Sequence, residues 1–281
     1  LAGFVNGIYV AIWYPDILDR LYTSPTDAVI AGSIFIALIA EGLRRTAGKV
    51  LFSFLVFFVL FGFFSHYLPF NFRGEEVSYA RYAVFLGLDS NGLKVSTTMI
   101  VAFLLFGFVL EKSGGAEFFT DLSKSLVGHK RGGSAKIAIV ASSLFGSISG
   151  SAVSNVVSTG VVTIPLMRKS GYSKEHSAGV EAVASTGGQL MPPMMGIAAF
   201  LMAEILHLPY SEIVVAAIIP ALLYYIALFS HVDLLAVRDK INPLPISEMS
   251  RPGPVFRQGW LFFIPFLVII MGLFRFNLQP E

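Results

Sequence analysis

Two stretches of this chain gather groups that could coordinate a small ion within an otherwise apolar sequence. The first is Gly146-Ser-Ile-Ser-Gly-Ser-Ala-Val-Ser-Asn-Val-Val-Ser-Thr-Gly160, where Ser147, Ser149, Ser151, Ser154, Asn155, Ser158 and Thr159 concentrate hydroxyl and amide groups. Its glycines, Gly150 among them, allow a turn, and its hydroxyls are hard oxygen ligands. A half-helix ending near Gly146 would present negative partial charge from its carbonyls. A second one beginning near Ser154 or Asn155 would present positive partial charge from its N–H groups. One tip would then hold a cation and an anionic substrate group side by side. The plainer alternative is that the small residues merely let helices pack closely, as the Gly146 to Gly150 spacing permits.

The second stretch is Ser185-Thr-Gly-Gly-Gln-Leu-Met-Pro-Pro-Met-Met-Gly196. Gly187 and Gly188 can end one half-helix, and Pro192 or Pro193 suits the first turn of the next, where its missing N–H is no loss. Ser185, Thr186, Gly187, Gly188 and Gln189 would line this break; the alternative is a kinked but continuous helix. Two broken elements in succession are what unwound carbonyls need in order to coordinate coupling ions inside a membrane. Glu181 lies on the apolar first half of the same helix, and carboxylates at such positions are functional suspects by default. It could bind a proton or pair with a buried donor, or it could sit near enough to the interface to be hydrated. Glu41, Glu111 and Glu204 fall near predicted helix ends and read as interfacial.

Other chemistry finds little support. The five histidines stand singly at helix ends or in loops with no HExxH spacing, so no transition-metal site is expected. Gly128 to Lys136 lacks the order of a phosphate-binding loop. There are no cysteines, which excludes disulfides and thiolate chemistry. An intramembrane serine protease using Ser149 would need a histidine base deep in a neighbouring span, and none is placed there. An ion channel with a re-entrant filter is the remaining alternative.

The elements that position these groups must be membrane helices. Of 281 residues, 55% are hydrophobic and 14% charged, with 26 Phe and 26 Gly, more apolar surface than a soluble core of this size hides. The net charge of +2 comes from basic residues scattered over short loops rather than from one patch, which argues against a nucleic-acid partner and for lipid. Apolar stretches approach the roughly 20 residues of a spanning helix. Leu1 to Tyr14 reads as the end of one span and Asp27 to Ala40 as a short second. Leu51 to Leu68, Val95 to Leu110, Ser177 to Leu206, Ile213 to Ser230 and Trp260 to Phe274 follow. Loops with Arg44, Arg45 and Lys49, with Lys112, Lys124, Lys130, Arg131 and Lys136, and with Arg238, Lys240, Arg251 and Arg257 are placed in the cytoplasm. Asn71 to Lys94, with Arg73, Arg81, Glu75, Glu76 and Asp89, is placed outside. Ala135 to Met167 consists of two halves of near 14 residues, each too short to span, between equally basic loops. It reads as a re-entrant hairpin whose tip lines a cavity. The fold class expected is therefore an all-α, polytopic integral membrane protein with a re-entrant helical hairpin and a discontinuous transmembrane helix.

A run of motifs carries a family resemblance: Phe106-Gly, Leu110-Glu-Lys-Ser-Gly114, Arg131-Gly-Gly-Ser-Ala-Lys136, Ser143-Leu-Phe-Gly-Ser-Ile-Ser-Gly-Ser-Ala152, Thr163-Ile-Pro-Leu-Met167, Glu181 to Gln189 and Met191-Pro-Pro-Met194. From about Ala31 to about Ile219 the chain resembles the fused membrane permease of TAXI-type TRAP transporters. The resemblance implies three segments. Residues 1–78 would be the C-terminal part of the small membrane component, serving as scaffold, and 79–94 a periplasmic connection. Residues 95–281 would be the N-terminal half of the large component, with its hairpin at 135–168 and its broken helix at 177–206.

It also implies the ion-transporter superfamily fold with elevator motion, in the bacterial inner membrane. Sodium, or alternatively protons, would drive uptake of small organic acids delivered by a periplasmic solute-binding protein; no enzyme activity and no cofactor are implied. The tip at Ser147, Ser149, Gly150, Ser151, Ser154 and Asn155 and the break at Ser185 to Gln189 would form the first cation site. The family's second, inverted repeat lies beyond Glu281, so the remaining C-terminal half of the permease is an expected partner, and this polypeptide alone is not expected to transport.

Overall fold

The computed structural model describes residues 2–67, 78–90, 95, 97, 101–241, 243–245, 249 and 252–276. The chain divides into two compact units, Leu1–Lys94 and Val95–Glu281, and its described residues are helical with no strand. Four helical stretches among them are long and apolar enough to cross a membrane: Thr26–Thr46, Gly48–Tyr67, Tyr210–Arg238 and Pro252–Phe274. With every main-chain bond made inside the helix, such elements are stable in lipid. The protein is an all-α integral membrane protein.

In the first unit, α1 (Ala2–Arg20) runs through Pro15 and beyond Tyr14, the expected end of that span. Helix α2 (Thr26–Thr46) is 21 residues long, not the short segment read from Asp27 to Ala40. The polar last two turns, with Glu41 accepting from Arg44 and Arg45, continue the helix that hydropathy alone would stop. Helix α3 (Gly48–Phe64) buries none of its residues within the unit, the pattern of a helix whose apolar sides face lipid. Helix α4 (Tyr79–Gly87) crosses α2 so closely that a Cβ on Gly32 would lie 2.2 Å from the Ala83 carbonyl oxygen. Asn6 on α1 donates to the Ala31 carbonyl at 3.0 Å. Much of the charged stretch from Asn71 to Lys94, including Arg73, Glu75, Glu76 and Lys94, lies outside the described residues.

In the second unit, α5 (Val101–Lys112) is followed by α6 (Gly115–Val127), α7 (Gly133–Ser149), α8 (Ala152–Lys169), α9 (Lys174–Gly187), α10 (Ile197–Leu206), α11 (Tyr210–Arg238), α12 (Pro252–Gly259) and α13 (Ile264–Phe274). Two of these are corrections. The basic loops at 112–136 and 238–257 contain α6 and α12, which reading by charge alone had flattened. Helix α6 is amphipathic and buries Phe118, Phe119 and Leu122, with Phe118 stacked on Phe262 at 5.2 Å between ring centres.

Helix α7 is the centre of the unit, with 14 of its 17 residues buried. Ala135, Ala138 and Ile139 on α7 pack with Met167 on α8, Val180 and Ala184 on α9, and Val232 and Ala236 on α11. The alanines bring the helix axes close, as small residues do where no hydrophobic effect drives helices together. At the base of α7, Lys136 is 4% exposed and pairs with Asp233 of α11, with its ammonium 4.9 Å from the centre of the Phe229 ring. Arg131 reaches the same carboxylate at 3.3 Å.

Candidate functional site

The first break joins α7 to α8 through Gly150 and Ser151 alone. Helix α7 does not stop near Gly146 but runs to Ser149, because Gly150 takes up a left-handed conformation (φ 58°) and returns its N–H to the Gly146 carbonyl at 2.9 Å. Helix α8 starts at Ala152 rather than near Ser154, because the Ser151 hydroxyl accepts from the Ser154 N–H at 3.3 Å and caps it. The two halves are accordingly 17 and 18 residues rather than near 14.

The second break follows α9, which ends at Gly187 and tightens into a 3₁₀ turn over Gly188–Leu190. Pro192 and Pro193 do not open the next helix. A residue preceding proline is pushed out of helical geometry, and α10 begins only after Gly196. The linking segment is held by main-chain contacts: Met194 N–H donates to the Ser147 carbonyl at 3.0 Å, Gly196 N–H to the Gln189 carbonyl at 2.8 Å, and the Tyr210 hydroxyl to the Pro193 carbonyl at 2.9 Å. Two neighbouring phenols on α11 grip the end of α9, Tyr224 donating to Val183 O at 2.7 Å and Tyr225 to Ala184 O at 3.1 Å.

The breaks meet at a glycine crossing. A Cβ built on Gly146 would lie 2.4 Å from the Cα of Gly188, and one on Gly188 would lie 2.8 Å from the Cα of Gly146. Gly146 therefore does the close packing that its spacing allowed, whereas Gly150 makes the turn. The amide of Asn155 fills the angle between the helices. Its Nδ2 donates to the Ser142 carbonyl of α7 at 2.9 Å and reaches the Ser185 carbonyl of α9 at 3.5 Å.

Beneath this amide lies Glu181, fully buried, so it is not the hydrated interfacial carboxylate that the sequence left open. Its Oε1 accepts from Thr159 at 2.6 Å, from Ser185 at 3.2 Å and from Ser142 at 3.4 Å, and its Oε2 accepts from Thr163. No Lys or Arg pairs with it among the described residues. Four hydroxyl hydrogens thus serve the two carboxylate oxygens together with the Asn155 Oδ1 and main-chain carbonyls of α8. Acceptors crowd a buried carboxylate here, an arrangement chemically suited to a proton or a monovalent cation.

Of the residues singled out from sequence, Asn155, Ser185, Gly187, Gly188 and Glu181 come together here. Ser147 contributes its carbonyl, while its hydroxyl turns back to Leu144 O at 2.7 Å. Thr186 and Gln189 are exposed, and Thr186 donates to its own helix at Ala182 O. Ser149, Ser151 and Ser154 face the other way, toward α5, where Ser154 lies 3.5 Å from the Glu111 carboxylate. Sequence reading passed over Ser142 and Thr163. Asn155, Thr159 and Thr163 follow one another at i, i+4 and i+8 on one face of α8, and that spacing was the available signal. Among the described residues Ser149 has no hydrogen-bond partner, and no histidine lines its recess, so the serine–histidine pair that a protease would need is not formed among them. Among the described residues no group of His, Asp or Glu is arranged to hold a metal.

Comparison with known proteins agrees with the motif order. The chain is 32% identical over 170 residues to the C4-dicarboxylate TRAP transporter large permease protein DctM of Pseudomonas aeruginosa, an alignment covering 60% of this chain and 39% of that protein. It is 29% identical over 178 residues to the sialic acid TRAP transporter permease protein SiaT of Haemophilus influenzae, covering 63% and 29%. It is 29% identical over 184 residues to the 2,3-diketo-L-gulonate TRAP transporter large permease protein YiaN of Escherichia coli, covering 65% and 42%. The chain thus spans less than half the length of the curated relatives it matches. The model of the tripartite ATP-independent periplasmic transporter family, DctM component, matches residues 33–279, which include both breaks and the crossing between them. The chain belongs to the DctM family of transporter permeases, a family of carriers rather than of enzymes.

Proposed function

We propose that this chain supplies one half of the translocation core of an ion-driven importer of small organic acids in the bacterial inner membrane. In this scheme α7 and α8 form a re-entrant hairpin, α9 and α10 form a discontinuous helix, and the two move together against a scaffold as an elevator. A TAXI-type periplasmic binding protein delivers the acid, and the rest of the permease completes the substrate site. The observation that carries the proposal is the Gly146–Gly188 crossing with Asn155 bonded to carbonyls of both helices. It places two helix ends, an amide and a buried carboxylate at one point, which is the layout of cation sites in secondary carriers. The acid class is supported by relatives named for C4-dicarboxylates, sialic acid and 2,3-diketo-L-gulonate, and by the N-terminus of α8 at the tip, which favours anions.

Sodium is the proposed coupling ion, held near Asn155, Ser185 and Gly188. Protons are the second reading, favoured by the four hydroxyls gathered around Glu181. Uptake by the full-length permease in proteoliposomes, with its binding protein, separates the two. Accumulation driven by an imposed sodium gradient, and weakened in Asn155→Ala and Ser185→Ala, supports the sodium site. Accumulation driven by a proton gradient and lost in Glu181→Gln supports the second reading. Passive flux that needs neither a gradient nor the binding protein would overturn the carrier assignment in favour of a channel.

A further inference from the structure

The serines on the far side of the tip raise a separate question, because the crossing does not use them. Helix α5 approaches the tip through Gly107, whose missing side chain lets it come against Ser149: a Cβ there would lie 3.4 Å from the Ser149 Cα. One turn further on, Glu111 projects into a recess of about 340 Å³ lined by Gly107, Phe108, Glu111, Ser149, Ser151 and Ser154. Two polar groups in this recess are incomplete. Glu111 is half-buried near the end of an apolar helix and pairs with no Lys or Arg among the described residues. The neighbouring Lys112 turns to the Phe108 ring instead, at 5.5 Å from its centre. The only hydrogen bond to the Glu111 carboxylate among the described residues is the long one from Ser154 at 3.5 Å. Ser149 is 8% exposed, and its hydroxyl oxygen has no partner.

A carboxylate without a countercharge and a buried hydroxyl without a bond are each unfavourable in an apolar setting. One ligand satisfies both: a monovalent cation takes hard oxygen donors, neutralises the carboxylate and accepts the lone pairs of Ser149 and Ser154. The α7 C-terminus and the α8 N-terminus both meet at this tip and oppose each other in partial charge, so the carboxylate and the hydroxyls carry the selection for a cation. We propose that Glu111, Ser149 and Ser154 form a second monovalent-cation site on the α5 side of the hairpin tip, separate from the Asn155–Ser185 locus. An ion bound there ties α5 to the tip, so its occupancy would govern whether the hairpin stays against that helix.

The inference extends the ion-coupled reading, and the test keeps the two apart. Equilibrium binding of radioactive sodium to the purified full-length permease in nanodiscs is measured in a choline background, with potassium and lithium as competitors. Glu111→Gln preserves shape and removes charge, Ser149→Ala removes the orphan hydroxyl, and Asn155→Ala disables the other locus. The expected result is that Glu111→Gln and Ser149→Ala each weaken one binding component at least tenfold, while Asn155→Ala leaves that component in place. Should Glu111→Gln elute as aggregate, Ser149→Ala decides alone. Wild-type stoichiometry and affinity in both variants would overturn the second site. Loss in Asn155→Ala alone would overturn it too, while leaving the first locus standing. Absence of sodium binding to the wild type would overturn both.

Discussion

Replacing Gly146 with alanine puts one methyl group where two helix backbones touch. The new carbon would lie 2.4 Å from the Gly188 Cα and 2.9 Å from the Asn155 Nδ2, whereas carbons in ordinary contact stand about 3.5–4.0 Å apart. Helices α7 and α9 have to part by roughly 1 Å to admit it. Gly188 is backbone and cannot swing away, and the Asn155 amide moves only by straining its bonds to two carbonyls. Overpacking of this kind costs about 1–3 kcal/mol, and the displaced Asn155 amide gives up part of two hydrogen bonds at about 1 kcal/mol each. Alanine recovers about 1 kcal/mol of helix propensity, leaving a net loss of about 1–3 kcal/mol. Gly179 on the same α9 provides the control, since a Cβ there meets nothing within 4 Å. Gly179→Ala should keep the propensity gain and stabilise by up to about 1 kcal/mol. Thermal melts of the two full-length variants in one detergent should therefore fall on opposite sides of wild type. Gly146→Ala should melt about 2–12 °C lower, at the roughly 2–4 °C per kcal/mol of a domain of a few hundred residues, and should lose gradient-driven uptake. A Gly146→Ala protein that melts with Gly179→Ala would refute the close crossing and the site built on it.

Other perturbations separate in the same melts. Glu181→Ala strips Ser142, Thr159, Thr163 and Ser185 of a shared acceptor and opens a cavity. It should destabilise by about 2–5 kcal/mol, with Glu181→Gln keeping the volume and losing less; equal melting of the two would show that the lost carboxylate bonds rather than the cavity dominate. Asp233→Asn leaves the buried Lys136 without its charge partner. Because Asp233 is itself 35% exposed, the loss should fall toward the low end for a broken buried pair, about 2–3 kcal/mol, and an unchanged melt would place Lys136 in water. The Arg238 guanidinium, and after it His176, hold the Asp239 carboxyl below its ordinary range. A depressed carboxyl pKa stabilises fully above about pH 4 and loses that contribution as pH falls through the folded-state value. Asp239→Asn should thus melt below wild type at pH 7, and the two should converge in strong acid.

The parts of this site that the sequence made legible are those whose residue types are out of place in lipid. Asn155, Ser185 and Glu181 stand in apolar helices, and Gly150 and Gly187 mark real helix ends. What it did not disclose depends on main-chain geometry. The donation from Met194 N–H to Ser147 O joins two backbones and leaves no trace in side-chain type. The Pro192–Pro193 pair suggested a helix start, yet consecutive prolines oppose helix at the first of them. Helix α6 was hidden because its charges mark a loop to a hydropathy count while its buried Phe118, Phe119 and Leu122 follow helical spacing. Ser149, Ser151 and Ser154 shared a motif with Asn155 but not a direction, since a capped turn sends neighbours to opposite sides.

The Asn155 amide also ties two helices together through a third. One NH₂ group is bonded to carbonyls of α7 and α9 at once, so drawing these helices apart surrenders at least one of the two bonds. The turns that lead into them, at Gly132 before α7 and Gly171 before α9, stand at φ 63° and 103°, where a side chain would be strained.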